Sequence, residues 1–338
     1  MNATDVVQVS GAPGSPYTRK MIAVLRYRRI PHRFVMRGSP EDAATPAPKV
    51  PIIPVLVFPG EDVARVDSTP LIDALDEGWP ERRVRPTDPV LAFVDALIED
   101  YGDEWLTKAM FHYRWYFEAD IAQAAAVLPR WRGTTLPEAE LAAMGKVFAD
   151  RQISRLGVVG SNDVTAPIIE ASYARLLAIL DRALTGRRFL LGERPGAGDF
   201  GIYGQLTQLA LFDPTPMALT LREAPRIAAW TQLVDDLSGI EVSDDGFDAV
   251  ADLPDVVTEL LAEIGRTYAP VLLANAAALE AGEEEVRCEV DGAEWRQTPF
   301  PYQGRCLAML RNARARLDEG DRARLAKLLD GTGCETLF

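Results

Sequence analysis

Asp5-Val6-Val7-Gln8-Val9, and shortly after it Ser15-Pro16-Tyr17, place a short apolar strand directly ahead of a helix that runs from Pro16 to about Arg28. Ser15 is a natural N-cap, because its hydroxyl can accept from a free N–H of the first turn. Pro16 suits the first helical position, where a missing N–H costs nothing. Such a corner aims unpaired backbone N–H groups and the positive end of the helix at one spot, so an anion is stabilised there, a thiolate included. The same three residues also suit an ordinary capped helix, and the rest of the segment bears on which reading applies.

After the helix, His32-Arg33-Phe34-Val35-Met36 reads as a second strand and Ile53-Pro54-Val55-Leu56-Val57-Phe58 as a third. A turn at Pro59-Gly60-Glu61-Asp62 leads to Val63-Ala64-Arg65-Val66, and Asp67-Ser68-Thr69 opens a last helix through Leu71, Ile72 and Leu75. The order is βαβ, then a β-hairpin, then α. With X-Pro at the head of the third strand and Asp-Ser at the final helix, the segment resembles the thioredoxin-like domain of glutathione transferases. It is most similar to the tau and omega classes, which carry Ser-Pro-aromatic or Cys-Pro-aromatic at the first corner.

The resemblance implies glutathione as co-substrate and assigns roles residue by residue. Ser15 would donate to the glutathione sulfur and favour its thiolate. Tyr17 is the rival hydroxyl and a second candidate for glutathione contact. Ile53–Pro54 would be cis, which turns the Ile53 backbone outward to pair with the peptide ligand. Asp67 would meet the ligand's ammonium and Ser68 its γ-glutamyl carboxylate, although Asp is one methylene shorter than the usual Glu or Gln. The bland alternative is that Asp67-Ser68 is only a helix cap. Lys49, the one base in a Pro/Ala-rich loop over 39–51, is a candidate for the glycyl carboxylate. No Cys precedes Cys288, which argues against thiol–disulfide exchange of the omega type.

The chain has 338 residues and a net charge of −14 without a basic run, so nucleic acid is not an expected partner. Three Cys without paired spacing, no leader pattern and no apolar run of about 18 residues suggest a cytoplasmic protein without a membrane partner. Past a charged linker at 81–89 the pattern becomes helical, over Pro89–Ala126, Pro137–Val159 and Ala166–Leu184. Asp199 resembles the capping-box acid of the family's buried helix, with Gly196 where Ser or Thr would cap, so that the reciprocal side-chain bond is lost.

Glu99-Asp100-Tyr101-Gly102-Asp103-Glu104-Trp105 sets like charges at i,i+4, which needs compensation. One reading is a solvated acidic face paired with Arg114. Another puts Tyr101, Trp105 and His112 in an electrophile pocket. No metal is expected, since His32 is the only other histidine.

The resemblance covers about residues 1–240. Beyond it, a helix over Leu253–Ala281 with a break at Pro270, a hairpin around Asp291-Gly292, and helices at Gln303–Leu317 and Asp321–Leu329 suggest a folded extension. Cys306 and Cys334 are read as buried or incidental thiols.

The expectation is an α+β chain: a thioredoxin-like glutathione-binding domain over 1–80, an all-helical transferase domain over 88–240, and a C-terminal extension over 250–338. By resemblance it would be a homodimeric detoxification enzyme that attacks a small electrophilic, apolar substrate with the glutathione thiolate. The alternatives are a non-catalytic scaffold on the same fold, or a glutathione-dependent isomerase, dehalogenase or ether-cleaving enzyme.

Overall fold

A computed structural model describes residues 6–243 and 246–338. Asp5, the first residue of the expected first strand, lies outside the described residues. The strand itself is β1 (Val7–Gly11), buried along its whole length. It is followed by α1 (Pro16–Tyr27), β2 (His32–Met36), β3 (Val55–Val57) and α2 (Ser68–Gly78). β1 is central in the order β2-β1-β3, parallel to β2 and antiparallel to β3. A central strand with both neighbours in place and covered faces explains why Val7 and Val9 are both fully enclosed.

The expected fourth strand at Val63–Val66 shrinks to one bridge, in which Arg65 exchanges N–H and C=O bonds with Leu56 at 2.9 and 2.8 Å. Val63 is exposed, so no buried face extends the ladder. The sheet with its helices is thioredoxin-like.

A helical block follows: α3 (Pro89–Glu104), α4 (Leu106–Tyr116), α5 (Glu118–Arg130), α6 (Glu138–Ile153), α7 (Ala166–Ala183), α8 (Ala197–Leu209), α9 (Pro214–Glu223) and α10 (Pro225–Val234). α8 is buried throughout and packs on both α3 and α1, so it joins the sheet unit to the helical block. Its first turn is capped in an unexpected way. Asp199 accepts from Gly196 N–H at 2.9 Å and from Leu190 N–H at 3.0 Å. The bonds that a capping hydroxyl would make come instead from Asp95 of α3, which accepts from Ala197 N–H at 3.1 Å and Gly198 N–H at 2.8 Å. A Cβ on Gly196 would lie 2.2 Å from Asp95 Oδ1. Glycine is required there because a carboxylate from another helix fills the cap.

The extension comprises α11 (Asp255–Ala281), the hairpin β4 (Val286–Val290) and β5 (Ala293–Gln297), α12 (Pro301–Ala315) and α13 (Glu319–Leu329). Asp291 and Gly292 have φ of 53° and 76°, as a two-residue turn with both central residues left-handed requires. α11 runs unbroken through Pro270, where an interruption was expected. α11, α12 and α13 all pack on α3, and α11 also on α7. No helix among the described residues is long and apolar enough to cross a membrane.

Candidate functional site

At the first corner, Ser15 caps α1 and its Oγ accepts from Thr18 N–H at 3.3 Å. The preceding loop is pinned from the helical block. Arg114 of α4 donates to Gly14 O at 3.0 Å, and Gln208 of α8 donates to Pro13 O at 3.1 Å. Arg114 is itself fixed by Asp213 at 2.9 Å, so it does not neutralise the acidic run of α3. Neither Arg114 nor Gln208 was singled out at this corner by sequence; a lone Arg inside an aromatic-rich helix was the available signal.

Tyr17 turns away from the corner. Its hydroxyl donates to Asp103 O at 2.8 Å and lies 3.0 Å from Thr107 Oγ1. Burial, with Glu104 and Asp103 nearby, pushes this phenol well above its ordinary range. A neutral phenol committed to a backbone carbonyl leaves Ser15 as the hydroxyl at the helix end.

The Ile53–Pro54 peptide is cis. Ile53 N–H and C=O form no hydrogen bond among the described residues, so both remain free to pair with an extended peptide. Lys49 lies exposed in the loop before them.

Asp67 stands ahead of α2 with φ 79° and ψ 112°, a conformation that costs a side-chain-bearing residue on the order of 1–3 kcal/mol. It makes no side-chain cap bond to its own helix. Its Oδ2 instead accepts from Tyr302 Oη of α12 at 2.8 Å. Tyr302 escaped the sequence reading, because nothing local links residue 302 to residue 67.

Ser68 faces inward. Its Oγ accepts from Lys20 Nζ at 3.1 Å and donates to Asp103 Oδ2 at 3.3 Å. Lys20 is wholly buried and also donates to Glu99 at 2.7 Å and Asp103 at 2.5 Å. Arg85 from the linker donates to Glu99 Oε2 at 2.5 Å. The expected solvated acidic face is therefore a buried ion cluster, compensated by Lys20 and Arg85 rather than by Arg114. Burial opposes ionisation of Glu99, yet Arg85 and Lys20 hold it down at about 2. Asp103 goes the other way, to about 6, because burial outweighs its share of Lys20.

Tyr101, Trp105 and His112 do not come together as an open pocket; all three are at most 1% exposed. Tyr101 meets Tyr268 of α11 edge-on at 6.3 Å, and Trp105 packs on Trp295 of β5 at 5.2 Å. The extension fills the space beside α3 that the pocket reading needed. His112 sits elsewhere, with Nδ1 2.8 Å from Ser161 Oγ and Nε2 3.4 Å from Glu170. Burial pushes it down to about 4. No cluster suited to a metal ion occurs among the described residues. Cys306 and Cys334 are buried, and burial pushes Cys334 up to about 12.

A family model described as Glutathione S-transferase, N-terminal domain, matches residues 9–83, and one described as Glutathione S-transferase, C-terminal domain, matches residues 138–233. Together they span half of the chain. The chain belongs to the glutathione transferase superfamily. Among curated proteins none matches this sequence. Similar solved structures include a tau-class glutathione S-transferase from mango, Mangifera indica, at 19% identity, covering 76% of this chain and all of that one with a TM-score of 0.42. A Rhodospirillum rubrum glutathione S-transferase is 17% identical over 73% of this chain and 99% of its own, with a TM-score of 0.42. One from Methylobacterium radiotolerans, solved in complex with glutathione sulfonate, is 18% identical over 70% and 97%, with a TM-score of 0.40.

Both family models end before the extension begins, and neither includes α3 or α4. In this member of the superfamily, Tyr101 and Trp105 and the extension residues that pack on them, Tyr268 and Trp295, all lie outside the two matches, as does Tyr302, whereas its partner Asp67 lies inside the N-terminal one.

Proposed function

We propose that the chain is a glutathione transferase-like enzyme in which Ser15 favours the glutathione thiolate for attack on a small apolar electrophile. The observation that carries this reading is the free backbone of Ile53, two residues ahead of the Val55 that pairs with Ser10 of β1, together with the Ser-capped helix that follows β1. It supplies strand-like pairing for a peptide whose sulfur would meet the Ser15 hydroxyl. The thiol would release its proton to solvent, the Ser15 hydroxyl would donate a hydrogen bond to the resulting thiolate, a sulfur electron pair would form the new C–S bond at the electrophile's carbon, and any leaving group would depart with its own electron pair. Asp67 would take the ligand's ammonium on its open oxygen. Ser68 would offer the γ-glutamyl carboxylate its backbone N–H at the start of α2, because its hydroxyl is engaged with Lys20 and Asp103. Lys49 would serve the glycyl carboxylate. A cytoplasmic homodimer acting in detoxification is part of the same proposal, and sedimentation velocity tests the dimer.

Calorimetric titration with glutathione, followed by turnover of an activated aryl halide, tests the reading. Saturable binding, with turnover that falls roughly 100-fold in Ser15→Ala, supports it; that is the scale of losing one donor to a developing anion. Absence of binding at millimolar glutathione overturns it.

A second reading, a non-catalytic binding protein on the same fold, is favoured by the burial of Tyr101 and Trp105 beneath the extension. Glutathione binding with no turnover of any electrophile class would select it.

A further inference from the structure

The extension reaches the proposed ligand site through one side chain. Tyr302 donates its hydroxyl to Asp67 Oδ2 at 2.8 Å, and this is the only side-chain hydrogen bond of Asp67 among the described residues. Oδ1 of the same carboxylate is left without a hydrogen bond there. Asp67 also holds a left-handed backbone conformation; its carbonyl accepts from Leu71 N–H of α2 at 3.1 Å, but its side chain makes no cap bond to that helix. Among the described residues the carboxylate is therefore held from outside α2.

Tyr302 is well placed to hold it, because its own position is fixed. It is the second residue of α12, behind Pro301. The residue before Pro301, Phe300, is tied to the fully buried Asn275 by two bonds, Phe300 N–H to Asn275 Oδ1 at 2.7 Å and Asn275 Nδ2 to Phe300 O at 3.0 Å. Gln303, next in the chain, is buried and donates to Glu104 O of α3 at 3.4 Å. The phenol is thus held from both sides rather than carried on a free loop. Burial and the neighbouring Asp67 carboxylate keep it protonated, so it acts as a neutral donor.

We propose that Tyr302 is a positioning residue for the amino end of glutathione, acting through Asp67. It fixes one carboxylate oxygen and leaves the other facing the ligand's ammonium. The inference rests on the reading of residues 6–78 as a glutathione site. It assigns the extension a direct part in ligand selection, namely preference for a γ-glutamyl group that carries a free α-amino group.

The test compares glutathione with its des-amino analogue, glutaryl-Cys-Gly, by calorimetry on the full chain and on Tyr302→Phe, which keeps the ring. The wild type should prefer glutathione by about tenfold or more, the scale of one charge-assisted hydrogen bond. In Tyr302→Phe that preference should narrow about fivefold, with affinity for the analogue and the melting curve little changed. Asp67→Asn, which removes the charge, should collapse the preference as well. An unchanged or larger preference in Tyr302→Phe overturns the proposal. So does an equal loss for both ligands, which would mark a general structural role. If the wild type binds neither ligand, the glutathione reading itself fails, an outcome distinct from the other two.

Discussion

Asp67 has a left-handed backbone conformation and a bond to a residue far along the chain, so two opposing effects can be separated at this one position. Asp67→Gly relieves the backbone strain of about 1–3 kcal/mol and forfeits the Tyr302 bond of about 1–2 kcal/mol, so chemical denaturation should register a change below about 1 kcal/mol. Glutathione affinity should meanwhile fall about tenfold or more, because the carboxylate proposed to meet the ammonium is gone. A large loss of stability would mean that the carboxylate serves the fold instead. His112 allows a second separation. Its imidazole is buried and neutral, and burial lowers it to about 4 despite Glu170 at 3.4 Å. The unfolded chain, with an ordinary imidazole near ~6.5, takes the proton first as the pH falls. The stability this residue contributes is therefore complete above about pH 6.5 and lost progressively toward pH 4, by on the order of 2–3 kcal/mol at most. Urea midpoints between pH 7 and 4 should show a shallower decline in His112→Gln than in the wild type. Equal slopes would show that His112 does not titrate differently on unfolding.

Between elements, Asp95 and Gly196 show what a local pattern can and cannot convey. Sequence marks Gly196-Ala197-Gly198-Asp199 as a box lacking its hydroxyl, and the natural repair would be Gly196→Ser. The structure reverses that expectation, because Asp95 already occupies the space a Cβ would take. Gly196→Ser should therefore destabilise by about 1–3 kcal/mol, the usual range for forcing atoms into a filled site. Adding Asp95→Ala should recover much of the loss, since the serine can then cap; thermal melts of the wild type and the two variants read this out, and a stabilised single variant would refute it. The failure of local reading has a plain cause: residues 95 and 196 meet only through the packing of α3 on α8. Where the governing interaction was local, sequence sufficed. The Asp291-Gly292 turn, the strand at 32–36 and the Ser15-Pro16 helix start all appear where their residue types put them. The acidic run was read as solvated for the same reason that the cap was misjudged. One of its counter-charges, Lys20, lies on a helix far away in sequence, and a buried lysine carries no local mark; the other, Arg85, comes from the linker ahead of α3.

At the scale of the whole molecule, the extension behaves as part of the core rather than as an added tail. Trp295 is wholly buried against Trp105, its indole N–H reaches Gln297 at 3.2 Å, and Lys108 of α4 donates to the same Gln297 oxygen at 2.9 Å. α11 and α12 cover α3, and the apolar residues of all three belong to one continuous cluster. Sequence reveals that residues 250–338 fold, through periodicity and a turn, but not what they cover, since an amphipathic face does not name its partner. Removing residues 250–338 should accordingly expose Tyr101 and Trp105 and strip the ring contacts that hold them. The expected product binds a hydrophobic dye, loses its cooperative melt, or collects as aggregate, and loses the Asp67–Tyr302 bond in every case. A milder version of the same test is Trp295→Ala, which should cost about 3–5 kcal/mol by leaving a cavity beside Trp105 and an unpartnered face over Lys108. A truncated chain that melts cooperatively at the wild-type temperature would make the extension an independent unit. Tyr302 could then be removed together with the whole segment while glutathione binding is still measured.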